Sequence, residues 1–231
     1  MPNASKVIEH ATRLLAGLSL MVAAAGVGAA NLQASVTAED GSPLADAVVI
    51  ALPLDRTDDA TTVAAVDAAI NANPIVDQIN KEFVPFVTPI IVGSSVRFPN
   101  KDQIRHQVYS FSAANRFELP LYTGTPAEPV LFDTPGVVTL GCNIHDWMLA
   151  YVYVAETPWF AKSGADGKAS ITNIPAGRYR VRIWHPNLDG TEEGTARDVT
   201  VGDAAAPETW HLKLKKILRP RRAPVPGQTD Y

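Results

Sequence analysis

Between residues 75 and 155, short runs of β-branched and aromatic residues are repeatedly interrupted by proline and glycine. Proline breaks helix interiors and is excluded from central strands, so a chain with 18 prolines has little room for long regular elements. Runs this short and this closely spaced are typical of β-sandwiches and barrels. The predicted strands lie near 86–92, 96–98, 107–111, 129–133, 136–142 and 149–155. The pattern therefore predicts an all-β fold.

The segments on either side of this region extend the prediction. Two apolar alternations within 31–53 flank Gly41 and predict a β-hairpin. Later in the chain, RYRVRIW at 178–184 alternates arginine with apolar residues, which indicates a half-buried strand. A last strand is predicted within TWHLKLKK at 209–216.

One Ala- and Asp-rich stretch, residues 56–73, departs from the β pattern. It predicts a short helix that begins at Asp58 or Asp59 and ends before Pro74. Its amphipathicity is weak, so a linker is the alternative.

The N-terminal residues 1–30 have the order of a secretory signal peptide. Lys6 and Arg13 supply positive charge, an apolar run covers 14–25, and small residues follow up to a cleavage point near Ala29 or Ala30. An uncleaved membrane anchor is the alternative, but the run is short of the roughly 20 apolar residues that a spanning helix needs. The sequence therefore predicts export to the periplasm, with no membrane span after cleavage.

Charge and cysteine content narrow the function further. The formal net charge of −4 argues against a nucleic-acid partner, and the basic, Pro-rich residues 217–231 are expected to form a flexible tail. The chain contains a single cysteine, Cys142. Exported proteins normally pair their cysteines, so a lone thiol needs another explanation.

Cys142, His145 and Met148 lie on one Gly-led segment between two predicted strands, with the spacing C-x2-H-x2-M. A thiolate, an imidazole and a thioether on one short loop can converge on a single point. Soft sulfur ligands select copper, and two His with one Cys and a weakly bound Met form a blue-copper site. The second imidazole must come from elsewhere, and His106, just before the strand QVYSF, is the best candidate.

Two other interpretations of the thiol remain open at this point. In the first, Cys142 is a free thiol that packs as a small buried hydrophobic residue, but this leaves the spacing of His145 and Met148 unexplained. In the second, Cys142 is the nucleophile of a Cys/His pair, but no motif that would supply oxyanion donors is evident. No carboxylate pair is placed for acid–base work. His10 belongs to the signal peptide, and we expect His185 and His211 to be structural or surface residues.

These residues resemble the cupredoxins, the blue-copper family that includes plastocyanin and amicyanin. The resemblance covers residues 74–155 and implies a Greek-key cupredoxin β-sandwich, with the short ligand loop most similar to that of amicyanin. It implies one copper ion, Cu(I) or Cu(II), bound by His106, Cys142, His145 and Met148. The leading half carries the following residues in the order that the family shows: Pro85, Gly93, Val96, Phe98, Asn100, Asp102 and His106.

Two positions depart from the family pattern. The residue after the first ligand histidine is usually Asn, which helps to tie the two ligand loops together, and here it is Gln107. The glycine often found two residues after the methionine is Ala150. Asn100 is a candidate for the missing hydrogen bond around the ligands, or else a plain turn residue.

The flanks, 31–55 and 156–216, resemble the opening and the continuation of the carboxypeptidase regulatory-like β-sandwich. We predict that they form one discontinuous sandwich around the copper domain, with two independent pieces as the alternative. The whole layout is similar to exported bacterial proteins that carry the label "methylamine utilization protein".

The resemblance implies a one-electron carrier with an unknown redox protein partner, and not an enzyme, because four protein ligands leave little room for substrate. Trp147 and Trp159 would help a partner to dock or would simply pack around the site. The alternatives are a periplasmic copper carrier or chaperone, and a partner-binding module in which copper is structural.

Overall fold

The structure of the chain is a computed structural model that describes residues 29–55, 60–126, 128–202 and 206–216. Residues 1–28 of the predicted signal peptide, His10 among them, lie outside the described residues. The same holds for Asp58 and Asp59 and for the predicted tail, 217–231.

Within the described residues the chain forms short strands, one α-helix and one turn of 3₁₀ helix. In chain order the elements are β1 (Ala29–Ala38), β2 (Val48–Pro53), α1 (Ala60–Ile70), β3 (Asp77–Ile79), β4 (Glu82–Val84), β5 (Val87–Ile91), β6 (Ser94–Val96), β7 (His106–Ser112), β8 (Asn115–Tyr122), β9 (Val130–Phe132), β10 (Gly136–Gly141), β11 (Leu149–Ala155), β12 (Phe160–Lys162), β13 (Lys168–Pro175), β14 (Gly177–Trp184), a 3₁₀ turn (Glu193–Thr195), β15 (Arg197–Val201) and β16 (Glu208–Leu212).

The prediction of an all-β fold is confirmed, and the Ala-rich stretch forms α1 and not a linker. The predicted strand 149–155 coincides with β11 at both ends. No strand was predicted at β8, whose residues NRFELPLY are exposed or only half-buried and include Pro120. A strand at the edge of a sheet tolerates proline and needs few apolar residues, so it leaves a weak signal in the sequence.

The sheet that carries the predicted copper loops has five strands in the order β5-β11-β10-β7-β8. β11 pairs in parallel with β5, and β10 pairs antiparallel with β11 and with β7. A buried apolar cluster lies on this sheet. It includes Val108 of β7 and Leu140 of β10, together with Phe132 of β9, which pairs with β6 in a separate two-stranded sheet. Because β7 and β10 are neighbours, the start of β7 lies beside the end of β10.

The two N-terminal strands belong to different sheets, so the predicted hairpin is wrong. β1 pairs antiparallel with β13 and in parallel with β16, whereas β2 lies between β12 and β14. A tight turn does form at the predicted place, where the Ala38 amide donates to the Ser42 carbonyl over 2.9 Å. The chain then crosses to the second sheet, because both edges of β1 are already occupied by later strands.

Strand β2 is buried on both faces. Val49 and Ala51 pack in the core between the three-stranded and four-stranded sheets. Val48 and Ile50 point the other way and pack against Val87 of β5 and residues of β11. A strand with two buried faces needs a continuous apolar run, which VVIALP supplies.

An aromatic cluster continues this contact between the two sets of sheets. The Trp184 ring of β14 lies 5.6 Å from the Tyr151 ring and 5.5 Å from the Tyr153 ring of β11. The Tyr153 hydroxyl donates to the Glu192 carboxylate over 2.6 Å. The strand that follows the predicted ligand loop is therefore supported from outside its own sheet.

The pairing of β1 and β2 with strands beyond residue 156 supports a discontinuous sandwich, while the division into domains stays a prediction. Among the described residues, no helix is both long and apolar enough to span a membrane.

We predict that Ile50→Ala lowers the free energy of unfolding by about 2–5 kcal/mol, because it leaves a cavity between the two sets of sheets. Val63→Ala is the control, since Val63 on α1 is 58% exposed, and it should change stability by about 0.5 kcal/mol or less. Equilibrium urea unfolding of both variants checks this. Equal losses would show that the β2 face does not form a packed interface.

Candidate metal centre

Two neighbouring strands bring the four predicted ligands into one region. His106 is the first residue of β7 and is fully buried. Cys142 directly follows β10 and is 4% exposed. His145 and Met148 lie in the loop between β10 and β11, where the Met148 amide donates to the His145 carbonyl over 3.0 Å. This turn brings the loop back towards the sheet.

Three of the four predicted residues converge in the way that a metal site requires. One donor atom each from His106, Cys142 and His145 lies within 4.8 Å of the other two. The two imidazole rings are 4.9 Å apart between centroids. Met148 is buried in the same apolar cluster as Cys142, and its role as a ligand stays a prediction.

Both histidines leave the same ring nitrogen without a partner. Nδ1 of His106 and Nδ1 of His145 are buried, and neither has a hydrogen-bond partner among the described residues. A buried nitrogen without a partner is costly, and a bound ion is one of the explanations for such an atom. Two free imidazole nitrogens beside a thiol form a donor set suited to copper or zinc. The residues therefore fit a bound metal ion.

The other ring nitrogen of His106 is held by Asp102. Nε2 of His106 lies 2.8 Å from the Asp102 carboxylate. An ionised carboxylate only accepts hydrogen bonds, so Nε2 carries the proton and Nδ1 keeps its lone pair. The carboxylate thus selects the tautomer that a metal needs at Nδ1.

Asp102 is kept ionised by the groups around it. Burial by itself would raise the pKa of its carboxyl. The hydrogen bonds from the Lys81 amide, the His106 ring and the Asn80 amide outweigh burial and hold that pKa below its usual value. The carboxylate is therefore available as an acceptor at neutral pH.

The surroundings of His145 also lower its pKa, but for an imidazole a lower pKa favours the neutral form. Its partial burial lowers the pKa of the imidazole, and the nearby His106 and Lys81 lower it further. At neutral pH the ring is then neutral, as metal binding requires. The Trp147 ring lies 5.0 Å from the His145 ring, and its indole N–H donates to the Lys81 carbonyl over 3.1 Å.

Tyr122, the strand partner of His106, was not singled out by the sequence. Its hydroxyl donates to the Phe98 carbonyl over 2.5 Å and accepts from the Gln78 amide over 2.6 Å. Burial raises the pKa of this phenol to about 12, although the Gln78 hydrogen bond opposes the shift. The phenol stays neutral and connects the Gln78 side chain to the Phe98 carbonyl through hydrogen bonds.

The side chain of Asn100 bonds to backbone groups, and not to the side chain of a predicted ligand. Its side-chain amide donates to the carbonyls of Ile104 and Tyr122, and its oxygen accepts from the Asp102 amide. It therefore organises the loop that carries Asp102. Gln107 bonds to Glu118 on β8 over 2.5 Å, so it does not replace the usual link between ligand loops.

The remaining aromatic and histidine residues lie elsewhere. Trp159 is 4% exposed in the core of the flanking sheets, so it forms no part of a docking patch. His211 is exposed and lies 2.7 Å from the Thr37 hydroxyl, in agreement with the expectation of a surface residue. His185 is buried, and its Nδ1 accepts from the Asn187 amide over 3.1 Å.

Sequence reasoning named Asp102 only as one residue of the family pattern, without a role, and it did not single out Lys81. The signal for Asp102 was its position four residues before a candidate ligand histidine. Lys81 gave no such signal, because its hydrogen bonds at the site come from backbone atoms, which every residue has, and its charge lies near His145 only in the folded chain.

Comparison with known proteins gives matches only among solved structures. No model of a protein family matches the chain, and no curated protein does. A copper-containing nitrite reductase from Thermus scotoductus aligns at 25% identity over 36% of this chain and 22% of its own, with a TM-score of 0.34. This chain thus spans about a fifth of that enzyme's length.

Two smaller copper proteins give similar values. A purple cupredoxin from Nitrosopumilus maritimus aligns at 21% identity over 36% of this chain and all of its own, with a TM-score of 0.32. A methionine-to-alanine variant of amicyanin in the Cu(I) state aligns at 18% identity over 39% of this chain and 89% of its own, with a TM-score of 0.33. Likenesses at this level establish no family, and the resemblance of the flanking segments stays a prediction.

We predict that Asn100→Ala lowers the free energy of unfolding by about 2–4 kcal/mol, because it removes three part-buried hydrogen bonds, to two carbonyls and one amide. The control is Asn115→Ala, which removes one more exposed hydrogen bond to the Leu131 carbonyl and should cost about 1 kcal/mol. Thermal and urea unfolding of the metal-free protein measure both losses. If the two losses were equal, Asn100 would be an ordinary turn residue.

Proposed function

We propose that this protein is an exported one-electron carrier with a single copper ion bound by His106, Cys142, His145 and Met148. The observation that carries the proposal is that His106, Cys142 and His145 each bring one donor atom within 4.8 Å of the others, while both histidines have an unpartnered Nδ1. A buried histidine is often held by hydrogen bonds to both ring nitrogens. Here Asp102 bonds only to Nε2 of His106, and Nδ1 of both histidines has no partner among the described residues.

The donor set favours copper over other metals. A thiolate and a thioether are soft donors, and two imidazoles with one cysteine and a methionine form the ligand set of blue-copper centres. Bound there, copper supplies reversible exchange of one electron between Cu(I) and Cu(II). The protein's own contribution is to hold the donors still, because a rigid site keeps the reorganisation cost of electron transfer small.

Burial of the donors favours a carrier of electrons over a carrier of metal. His106 is fully buried and Cys142 is 4% exposed, so release of an ion would require the loop and the sheet to separate. An electron does not require such opening. The site therefore retains its metal while it exchanges charge.

His145 is the proposed point of contact with a redox partner. It is only partly buried, and its neighbour Ile144 is 49% exposed. An apolar side chain beside the most accessible ligand gives a partner protein a surface from which water is easily displaced. The partner is a redox protein of the same compartment, and the predicted signal peptide places that compartment in the periplasm.

The flanking strands have a supporting role in this proposal. Residues 31–55 and 156–216 would form one sandwich domain around the copper domain of residues 74–155. Their contact with β11 stiffens the strand that leaves the ligand loop.

Loading with copper tests the proposal directly. We expect the purified protein with one equivalent of Cu(II) to show an intense thiolate-to-copper charge-transfer band, and Cys142→Ser to lose it completely. His106→Ala and His145→Ala should also lose the band or shift it strongly. His211→Ala, which alters an exposed histidine outside the cluster, should keep the spectrum of the unaltered protein.

Electrochemistry and metal exchange separate this function from that of a copper chaperone. We expect a reversible one-electron wave and slow loss of Cu(I) to a competing chelator. A colourless protein that binds Cu(I) and gives it up quickly would overturn the proposal in favour of metal delivery.

A further inference from the structure

We propose that the two-residue turn of Asn80 and Lys81, at the tip of the β3–β4 hairpin, is a positioning element that ties the two ligand histidines together. This inference rests on the proposed function, since it assigns the turn a task at the same site. The turn would supply the connection between ligand loops that Gln107 does not make.

The first connection runs from the turn to His106. The Asn80 amide donates to one oxygen of Asp102 over 2.7 Å, and the Lys81 amide donates to the other over 2.8 Å. That second oxygen also accepts the Nε2 proton of His106. Both amides of the turn thus fix the carboxylate that orients the first imidazole.

The second connection runs from the same turn to His145. The carbonyl of Lys81 accepts the indole N–H of Trp147 over 3.1 Å. The Trp147 ring lies against the His145 ring, with centroids 5.0 Å apart. The N–H of Lys81 therefore bonds to Asp102, which orients His106, and its C=O bonds to Trp147, which packs on His145.

The turn is well placed to be rigid. Asn80 and Lys81 both have positive φ, 56° and 60°, as a two-residue hairpin turn requires. Behind it, Gln78 exchanges backbone hydrogen bonds with the loop that carries Asp102: its amide donates to Pro99, and its carbonyl accepts from Lys101. An ion pair of Lys101 with Asp77, 2.7 Å long, fastens the same hairpin.

This arrangement has a chemical consequence for the site. Groups that bond to metal ligands set their orientation and basicity, and their loss typically weakens metal affinity by about 10–100-fold. Asp102 and Trp147 are positioning residues in this sense. Because both act through one turn, breaking either connection also loosens the other.

Trp147→Phe is the decisive variant, because it keeps a ring beside His145 and removes only the indole donor. In the metal-free protein, we expect it to speed hydrogen exchange of the Asn80 and Lys81 amides and of the His106 Nε2 proton by about fivefold, the size of one ordinary hydrogen bond. NMR measures these rates. Unchanged rates at the turn and at His106 would overturn the proposal.

Copper binding gives an independent readout. We expect Asp102→Ala to weaken Cu(II) affinity by about 10–100-fold and to alter the EPR spectrum, and Trp147→Phe to have a smaller effect. In the double variant the loss should be less than the product of the single losses, since each breaks the same chain of contacts. Independent, multiplicative losses would also count against the turn.

Lys213→Ala is the matched control, because it removes an exposed lysine–aspartate ion pair, with Asp189, in the flanking segment 156–216 and not in the hairpin. It should leave the EPR spectrum unchanged. If the unaltered protein gave no charge-transfer band with copper, the proposed function would fail, while the exchange rates of the metal-free protein would still decide the role of the turn.

Discussion

The hydrogen bond between His106 Nε2 and Asp102 is the interaction on which the rest of the site depends. It fixes which ring nitrogen carries the proton, and so it leaves the buried Nδ1 with a free lone pair. Without it, the imidazole could rotate or exchange tautomers, and Nδ1 would no longer be held in the unprotonated form that can bind a metal. The fold supports this one contact from several directions.

Three pieces of structure converge on that contact. The Asn100 side chain shapes the loop that carries Asp102, the Asn80–Lys81 turn binds both carboxylate oxygens, and Tyr122 braces the strand beside His106. The groups involved are mostly neutral donors and backbone amides, which stabilise the carboxylate without placing a formal charge beside the thiol. Both carboxylate oxygens of Asp102 are held by several donors at once, which restricts how the carboxylate can move.

The flanking sheets extend the stiffness outward. A strand with two apolar faces, β2, joins the sandwich core to β5 and β11, and Trp184 packs on two tyrosines of β11. Since β11 leaves directly from the ligand loop, the sandwich limits how far that loop can move. This is a physical reason for the candidate metal site to be joined to the flanking sheets.

The sequence by itself determined the β architecture and the donor types, because strand periodicity and the spacing of Cys142, His145 and Met148 are local properties. It also indicated His106, whose place before a predicted strand is local too. The tertiary structure alone decided that β1 and β2 lie in different sheets, that Asp102 orients His106, and that Lys81 supports both histidines through its backbone. These depend on contacts between residues distant in the chain and on backbone atoms that every residue shares, so no local pattern could specify them.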